Sequence, residues 1–141
     1  MVGMYRRAGL FDRWPITYFS SHTDAGSVGK LVCAGQPLSS YLKALLRGKI
    51  AIVHAHMASR ASFWRKSLFL LPALALNKPV IIHLHGAEFI RFYQEECGAL
   101  KRLFIRFGFD RATRVIVLSN QWKRMIAEIT STLVILVYDM P

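Results

Sequence analysis

The stretch Lys78–Phe89, KPVIIHLHGAEF, decides the fold. Lys78 and Pro79 punctuate the end of a preceding helix. Val80, Ile81 and Ile82 are β-branched and continuous, the pattern of a strand buried on both faces. His83 and His85 follow at the strand's exit, and Gly86 marks a turn, with Glu88 and Phe89 just beyond. In an open parallel α/β sheet, ligands bind beyond the carboxyl ends of the strands. A strand ending in H-L-H-G therefore places imidazoles and a flexible turn where chemistry is usually done.

Outward from that stretch, strands and helices alternate. Pro15–Ser21 reads as a short strand, after a helix tail in Met1–Trp14 that Gly9 loosens. His22–Gly29 reads as a loop. Lys30–Ala34 reads as a helical turn broken by Gly35-Gln36-Pro37. Leu38–Arg47 reads as a helix stopped by Gly48. Ile50–Ala55 is a second clear strand, followed by a small-residue loop and a helix Phe63–Leu76 containing Pro72. Phe89–Tyr93 reads as an aromatic loop. Glu95–Arg111 is expected to turn Leu100, Leu103, Phe104 and Phe107 to the core and Lys101, Arg102 and Arg106 to solvent. Arg114–Leu118, a helix Asn120–Ile129 capped by Ser119, and a strand Thr132–Tyr138 complete the series. The alternation predicts a doubly wound parallel α/β sheet.

The chain has 141 residues, enough for one domain with a real core. Nineteen Lys and Arg against eight Asp and Glu give a net charge of +11. That excess points to an anionic partner, whether a nucleotide or sugar phosphate, an acidic membrane surface or nucleic acid, unless it is a solvated basic face. Cys33 and Cys97 are too few for a disulfide framework, which favours a reducing cytosol. The first residues lack the apolar core of a signal peptide, and the longest apolar run, Ser67–Leu76, is too short to span a bilayer.

The candidate site gathers at strand exits. His54/His56 and His83/His85 are two H-x-H pairs, each on one face of its strand. Four imidazoles could ligate a metal, but no adjacent carboxylate joins them clearly, and no metal is expected. His54 and His83 read best as hydrogen-bonded core histidines. Ser59 and Arg60 lie between a strand and a helix, where anions bind. No glycine-rich phosphate loop of the G-x-G-x-x-G or P-loop type occurs.

The runs VHAHMASRASFWRK, KPVIIHLHGAEFIRFY and RATRVIVLSNQWKR resemble the N-terminal domain of family 4 glycosyltransferases of the GT-B fold. These are bacterial enzymes of exopolysaccharide, capsule and lipopolysaccharide assembly. The resemblance covers roughly Trp14 to Ile129. It implies a Rossmann-like acceptor-side domain over residues 1–141, facing a second domain that binds a nucleotide-sugar donor. It also implies retaining transfer without a bound metal or other cofactor. His85 matches the family's cleft histidine, the catalytic candidate. His56, Ser59, Arg60, Gly86, Glu88 and Ser119 become substrate-binding candidates.

The family's first strand, its glycine-rich loop and its C-terminal domain with the E-x(7)-E motif have no counterpart here. The sheet is therefore expected to be incomplete, with the absent strand between Pro15–Ser21 and Ile50–Ala55. The chain alone is expected to lack turnover, a separate chain being one source of the second domain. Expected partners are a nucleotide sugar and a sugar or lipid-linked acceptor. The expected location is the cytoplasm, with peripheral binding to the inner face of the plasma membrane. The competing functions are a non-catalytic basic module on anionic membrane or nucleic acid, and a metal-dependent hydrolase using the H-x-H pairs.

Overall fold

The computed structural model describes residues 7–19, 27–86 and 88–137. The chain forms two compact units, Met1–Pro37 and Leu38–Pro141. In the first, α1 is a single turn, Leu10–Arg13, entered through Gly9 at φ 69°. Arg7 is helical too, so Gly9 lies between two helical stretches; the rest of the expected helix tail, residues 1–6, lies outside the described set. The strand expected at Pro15–Ser21 does not form over residues 15–19, which are neither helix nor strand; residues 20 and 21 lie outside the described set. The break expected at Gly35-Gln36-Pro37 is also absent. Helix α2 runs Ser27–Leu46 with Pro37 inside it, and takes in the end of the expected His22–Gly29 loop. Pro37 forfeits one bond to the carbonyl four residues back, while the turns on either side keep helical backbone.

The second unit holds the sheet. Its elements are β1 (Val53–Met57), α3 (Arg60–Ala75), β2 (Val80–Leu84), α4 (Phe89–Arg91) running into a π-helical turn (Phe92–Glu96), α5 (Ala99–Arg111), β3 (Arg114–Val117), α6 (Asn120–Ala127) and β4 (Val134–Leu136). The four strands are parallel, in the order β1-β2-β3-β4. This is an incomplete Rossmann-like fold. Among the described residues, the outer edge of β1 carries no further strand. Strands that follow one another in order, joined by right-handed crossovers, place their helices on one face. Burial agrees: Met57, Val80, Ile82, Leu84, Val115, Val117 and Val134 share that face and are buried. The opposite face carries His54, His56, Ile81, His83, Ile116 and Ile135, and here His54 and Ile135 are exposed.

Helix ends follow local chemistry. Gly48 at φ 69° closes α2, with Lys49 N–H donating to Ala44 O and Gly48 N–H to Leu45 O. This is a Schellman ending, in which a left-handed residue lets the last carbonyls be satisfied. Asn77 at φ 51° does the same for α3, through Lys78 N–H to Ala73 O and Asn77 N–H to Leu74 O. Tyr41, on the part of α2 inside this unit, donates to Phe69 O at 2.7 Å, and burial pushes its phenol up to about 12.

Several boundaries move. β1 begins three residues later than the expected Ile50–Ala55, because its ladder starts where β2 can pair. Val53 N–H donates to Pro79 O, and the register runs Val53↔Val80 to Met57↔Leu84. Phe89–Tyr93 is helical rather than a loop, and Phe89, Ile90 and Phe92 are buried. The helix expected from Glu95 breaks at Cys97 and Gly98 and restarts at Ala99. The last strand is confined to Val134–Leu136, and Tyr138 lies outside the described residues.

The largest correction concerns α5. Leu100, Leu103 and Phe107 are not in the core: they are 83%, 66% and 46% exposed. Ile105, Gly108 and Phe109 are buried in their place, and Phe104 is half-buried. The core they enter is aromatic. Phe63 lies 5.8 Å from Phe89 and 6.4 Å from Phe109, and Phe89 stacks on Phe109 at 5.6 Å.

Candidate functional site

β1 and β2 are in register, so His56 lies beside His83 on one face of the sheet. His54 precedes them and His85 follows on the same face. The four rings form a stacked ladder: His54–His56 at 4.6 Å, His56–His83 at 4.9 Å and His83–His85 at 4.0 Å between centroids. His56 Nδ1 and His85 Nε2 share a hydrogen bond of 2.8 Å. His85 is also held by its backbone N–H, which donates to Met57 O at 2.7 Å. Gly86 follows at φ 104°, a backbone that side chains rarely adopt, so the turn after His85 needs glycine. His83 is buried, as expected of a core histidine, but His54 is exposed at the sheet's edge strand and is not one.

Two rings of the ladder, His54 and His56, are held neutral, first by loss of water and then by their neighbours. Burial pushes His56 down to about 3, and the charges that His54, His83, His85 and Lys66 carry when protonated push the same way. The His54 ring, though the residue is exposed at the edge strand, loses part of its water to the neighbouring rings; that lowers it first, and His85 lowers it further. At neutral pH His54 and His56 are uncharged imidazoles, each able to donate and to accept a hydrogen bond. Nitrogens of His54, His56 and His83 come within 4.8 Å of one another, close enough to suggest a metal. The rings of His54 and His83 are nearly parallel, at 12°, so their lone pairs do not converge on one point. Ligation would require the rings to leave the stack.

A second group lies at the same edge. Arg60 opens α3 with φ 54°, an unusual backbone for a non-glycine residue. Its guanidinium grips Glu96 through Nε, at 3.0 and 2.9 Å to the two carboxylate oxygens, and pairs with Glu88 through Nη1. The hydrogen bonds from Arg60 hold both carboxyls below the usual carboxylate range. Arg60, exposed at the start of α3, is therefore also a clasp joining the exits of β1 and β2. Ser59 takes the N-cap position of α3 with extended backbone, but its side chain makes no cap bond. Ser119, after β3, accepts from Trp122 N–H at 3.2 Å and caps α6.

All seven candidates lie at the carboxyl ends of strands: His56, Ser59 and Arg60 after or within β1, His85, Gly86 and Glu88 after β2, and Ser119 after β3. Direct contacts join His56 to His85 and Arg60 to Glu88. Ser59, Gly86 and Ser119 share the edge through topology. Sequence reasoning missed Glu96, because an unbroken helix from Glu95 would have put it in a first turn, away from Arg60. It also separated His54 and His83 from the site, although the equal H-x-H spacing in two neighbouring strands was a signal for the ladder.

A one-sided parallel sheet with polar side chains and a glycine turn at its strand exits defines a Rossmann-like ligand-binding domain. The chain belongs to glycosyltransferase family 4: the profile of Glycosyltransferase Family 4 matches residues 24–137, which span every strand of the sheet. It is the N-terminal domain type of the GT-B fold. No curated protein sequence matches the chain.

Proposed function

We propose that this domain forms the acceptor side of a glycosyltransferase that moves sugar from a nucleotide-sugar donor in cell-surface polysaccharide assembly. The observation that carries the reading is the convergence of His56 and His85 with the Arg60–Glu88–Glu96 clasp at the exits of β1 and β2. Sugar transfer breaks a bond to a phosphate leaving group and develops charge on both partners. A neutral imidazole held in place can donate a hydrogen bond to an oxygen on which charge grows, without reorganising as it does so. His85 is positioned for that role by its backbone bond to Met57 and its ring bond to His56. An exposed carboxylate and half-buried serines suit the hydroxyls of an acceptor sugar, and Glu88, Ser59 and Ser119 supply them. Gly86 lets the backbone approach the ligand closely.

The test, made in a full-length context that supplies the donor-binding domain, is transfer of radiolabelled sugar from a nucleotide sugar to a lipid-linked acceptor. His85→Ala should lower turnover about a hundredfold, the usual size for one removed charge-stabilising donor. Folding of the variant is checked by its urea midpoint. A folded His85→Ala protein with unchanged turnover would remove His85 from the site.

A further inference from the structure

We propose that the outward face of α5 docks the protein onto an anionic lipid bilayer. Leu100, Leu103 and Phe107 are spaced by three and four residues, so they form one stripe along the helix. The stripe points away from the core that Ile105, Gly108 and Phe109 enter. Arg106 and Arg111 flank it, Lys101 and Arg102 lie at the helix's exposed amino-terminal end, and all four are exposed. The guanidinium of Arg111 lies 5.0 Å over the Phe107 ring, and Arg102 donates to the carbonyls of Tyr93 and Gln94. Asp110 is the helix's one acid, and it is engaged at the start of β4, accepting from Thr130 Oγ1 at 2.6 Å and Ser131 N–H at 2.9 Å. The surface thus joins aliphatic side chains to cations that can extend past them, the composition that inserts at the headgroup level.

Charge selects the occupant. A second copy of this face would set four cations against four, with only Asp110 on each side to offset them. Single-stranded nucleic acid needs aromatic faces for its bases. Here the stripe is two leucines and one phenylalanine that Arg111 already covers. A bilayer rich in anionic lipid offers both an apolar layer for the leucines and phosphates for the cations. Among the described residues no helix is long and apolar enough to cross a membrane, so the contact is one of surface docking. α5 runs back from the carboxyl end of β2 to the amino end of β3, which places Leu100 and Lys101 at the same sheet edge as His85. Docking through this face brings that edge to the lipid headgroups, where a lipid-linked acceptor would be found. This last step rests on the glycosyltransferase reading; the docking itself does not.

Co-sedimentation of the chain with vesicles tests the proposal. One set is phosphatidylcholine alone, and the other equal parts phosphatidylcholine and phosphatidylglycerol. Binding should be confined to the anionic set and weaken with salt. Leu103→Ser with Phe107→Ser should lower partitioning about tenfold, from lost apolar insertion. Lys101→Gln and Arg106→Gln should each lower it about fivefold. The pair Arg47→Gln and Lys49→Gln, in the exposed turn that leads into β1, should change it little. Equal binding to both vesicles, binding to neither, or equal loss from the control pair would overturn the proposal. Binding to single-stranded RNA that depends on Phe107, with none to vesicles, would assign the face to nucleic acid instead. None of these outcomes depends on sugar transfer, so failure of the docking and failure of the enzymatic reading are separable.

Discussion

Strand β2 and helix α5 are close in sequence and both border the same core, but they place their apolar residues differently. β2 buries Val80, Ile82 and Leu84 under the helices and keeps Ile81 half-covered on the other face. α5 buries Ile105 and Phe109 and leaves Leu100, Leu103 and Phe107 outside. A strand has only two faces, and when both are apolar, either assignment of inside is nearly right. A helix must choose one stripe, and α5 has two to choose from. Gly108 lies on the stripe that is buried: a Cβ there would lie 3.6 Å from Leu70 Cδ2, an ordinary contact, so α3 passes close to α5 at this point. The bulkier stripe would keep the two helices further apart and give up those contacts.

Two phenylalanines on one helix sharpen the contrast most. Phe109→Ala should cost about 3–5 kcal/mol, the usual loss for a large buried aromatic. Phe107→Ala, two residues earlier, should stay within about 0.5 kcal/mol, as for most surface changes. Urea midpoints of the two variants at constant slope decide the matter. Equal losses would mean that both stripes of α5 are structural, and would break the comparison.

The same reasoning explains what the sequence revealed and what it hid. The strand–turn at Val80–Gly86 was legible because β-branched runs and a glycine have few alternatives. The Arg114–Val117 strand and the Ser119 cap were legible for the same reason. The helix through Pro37 was hidden, because local breakers predict a stop and cannot register the turns that persist on either side. The inner stripe of α5 was hidden behind its larger leucines, although Gly108 beside Ile105 and Phe109 was the available sign. The clasp of Arg60 on Glu96 joins residues 36 apart through a π-helical turn, and no local pattern encodes it.

The histidine face of β2 contrasts with its apolar face in its response to pH. Above the ordinary imidazole value of 6.5, His54 and His56 are neutral whether the chain is folded or not. Below it the unfolded chain takes up protons that folded His56 refuses until about 3, and His54 shifts in the same direction. The unfolded state then binds more protons, so stability falls as the pH drops from 6.5 toward 3. Glu88, Glu96 and Asp110 are lowered too, but their contribution is lost only below the ordinary carboxyl values of 4.5 and 3.8. The loss between pH 6.5 and about pH 5 therefore belongs to the histidines, and with solvent screening should be roughly 1 to 2 kcal/mol. His56→Gln should flatten that part of the stability–pH curve. An unchanged slope would show that the ladder relaxes when protonated and does not resist it.

The smallest effect separates two serines that look alike in sequence. Ser59 and Ser119 each follow a strand and precede a helix, and both backbones are extended. Only Ser119 makes the cap bond, from Trp122 N–H. A cap satisfies one of the first amides of a helix, and its removal typically costs about 1 kcal/mol. Ser119→Ala should show that loss in a urea midpoint, and Ser59→Ala should show almost none. The asymmetry has a functional consequence. The start of α3 is held by the Arg60 clasp, so the Ser59 hydroxyl has no structural bond to lose there. If Ser59→Ala leaves stability intact but weakens binding of a sugar acceptor, the hydroxyl serves the ligand. If Ser59→Ala destabilises the chain as much as Ser119→Ala, then Ser59 caps α3 in solution, and its place among the binding residues falls.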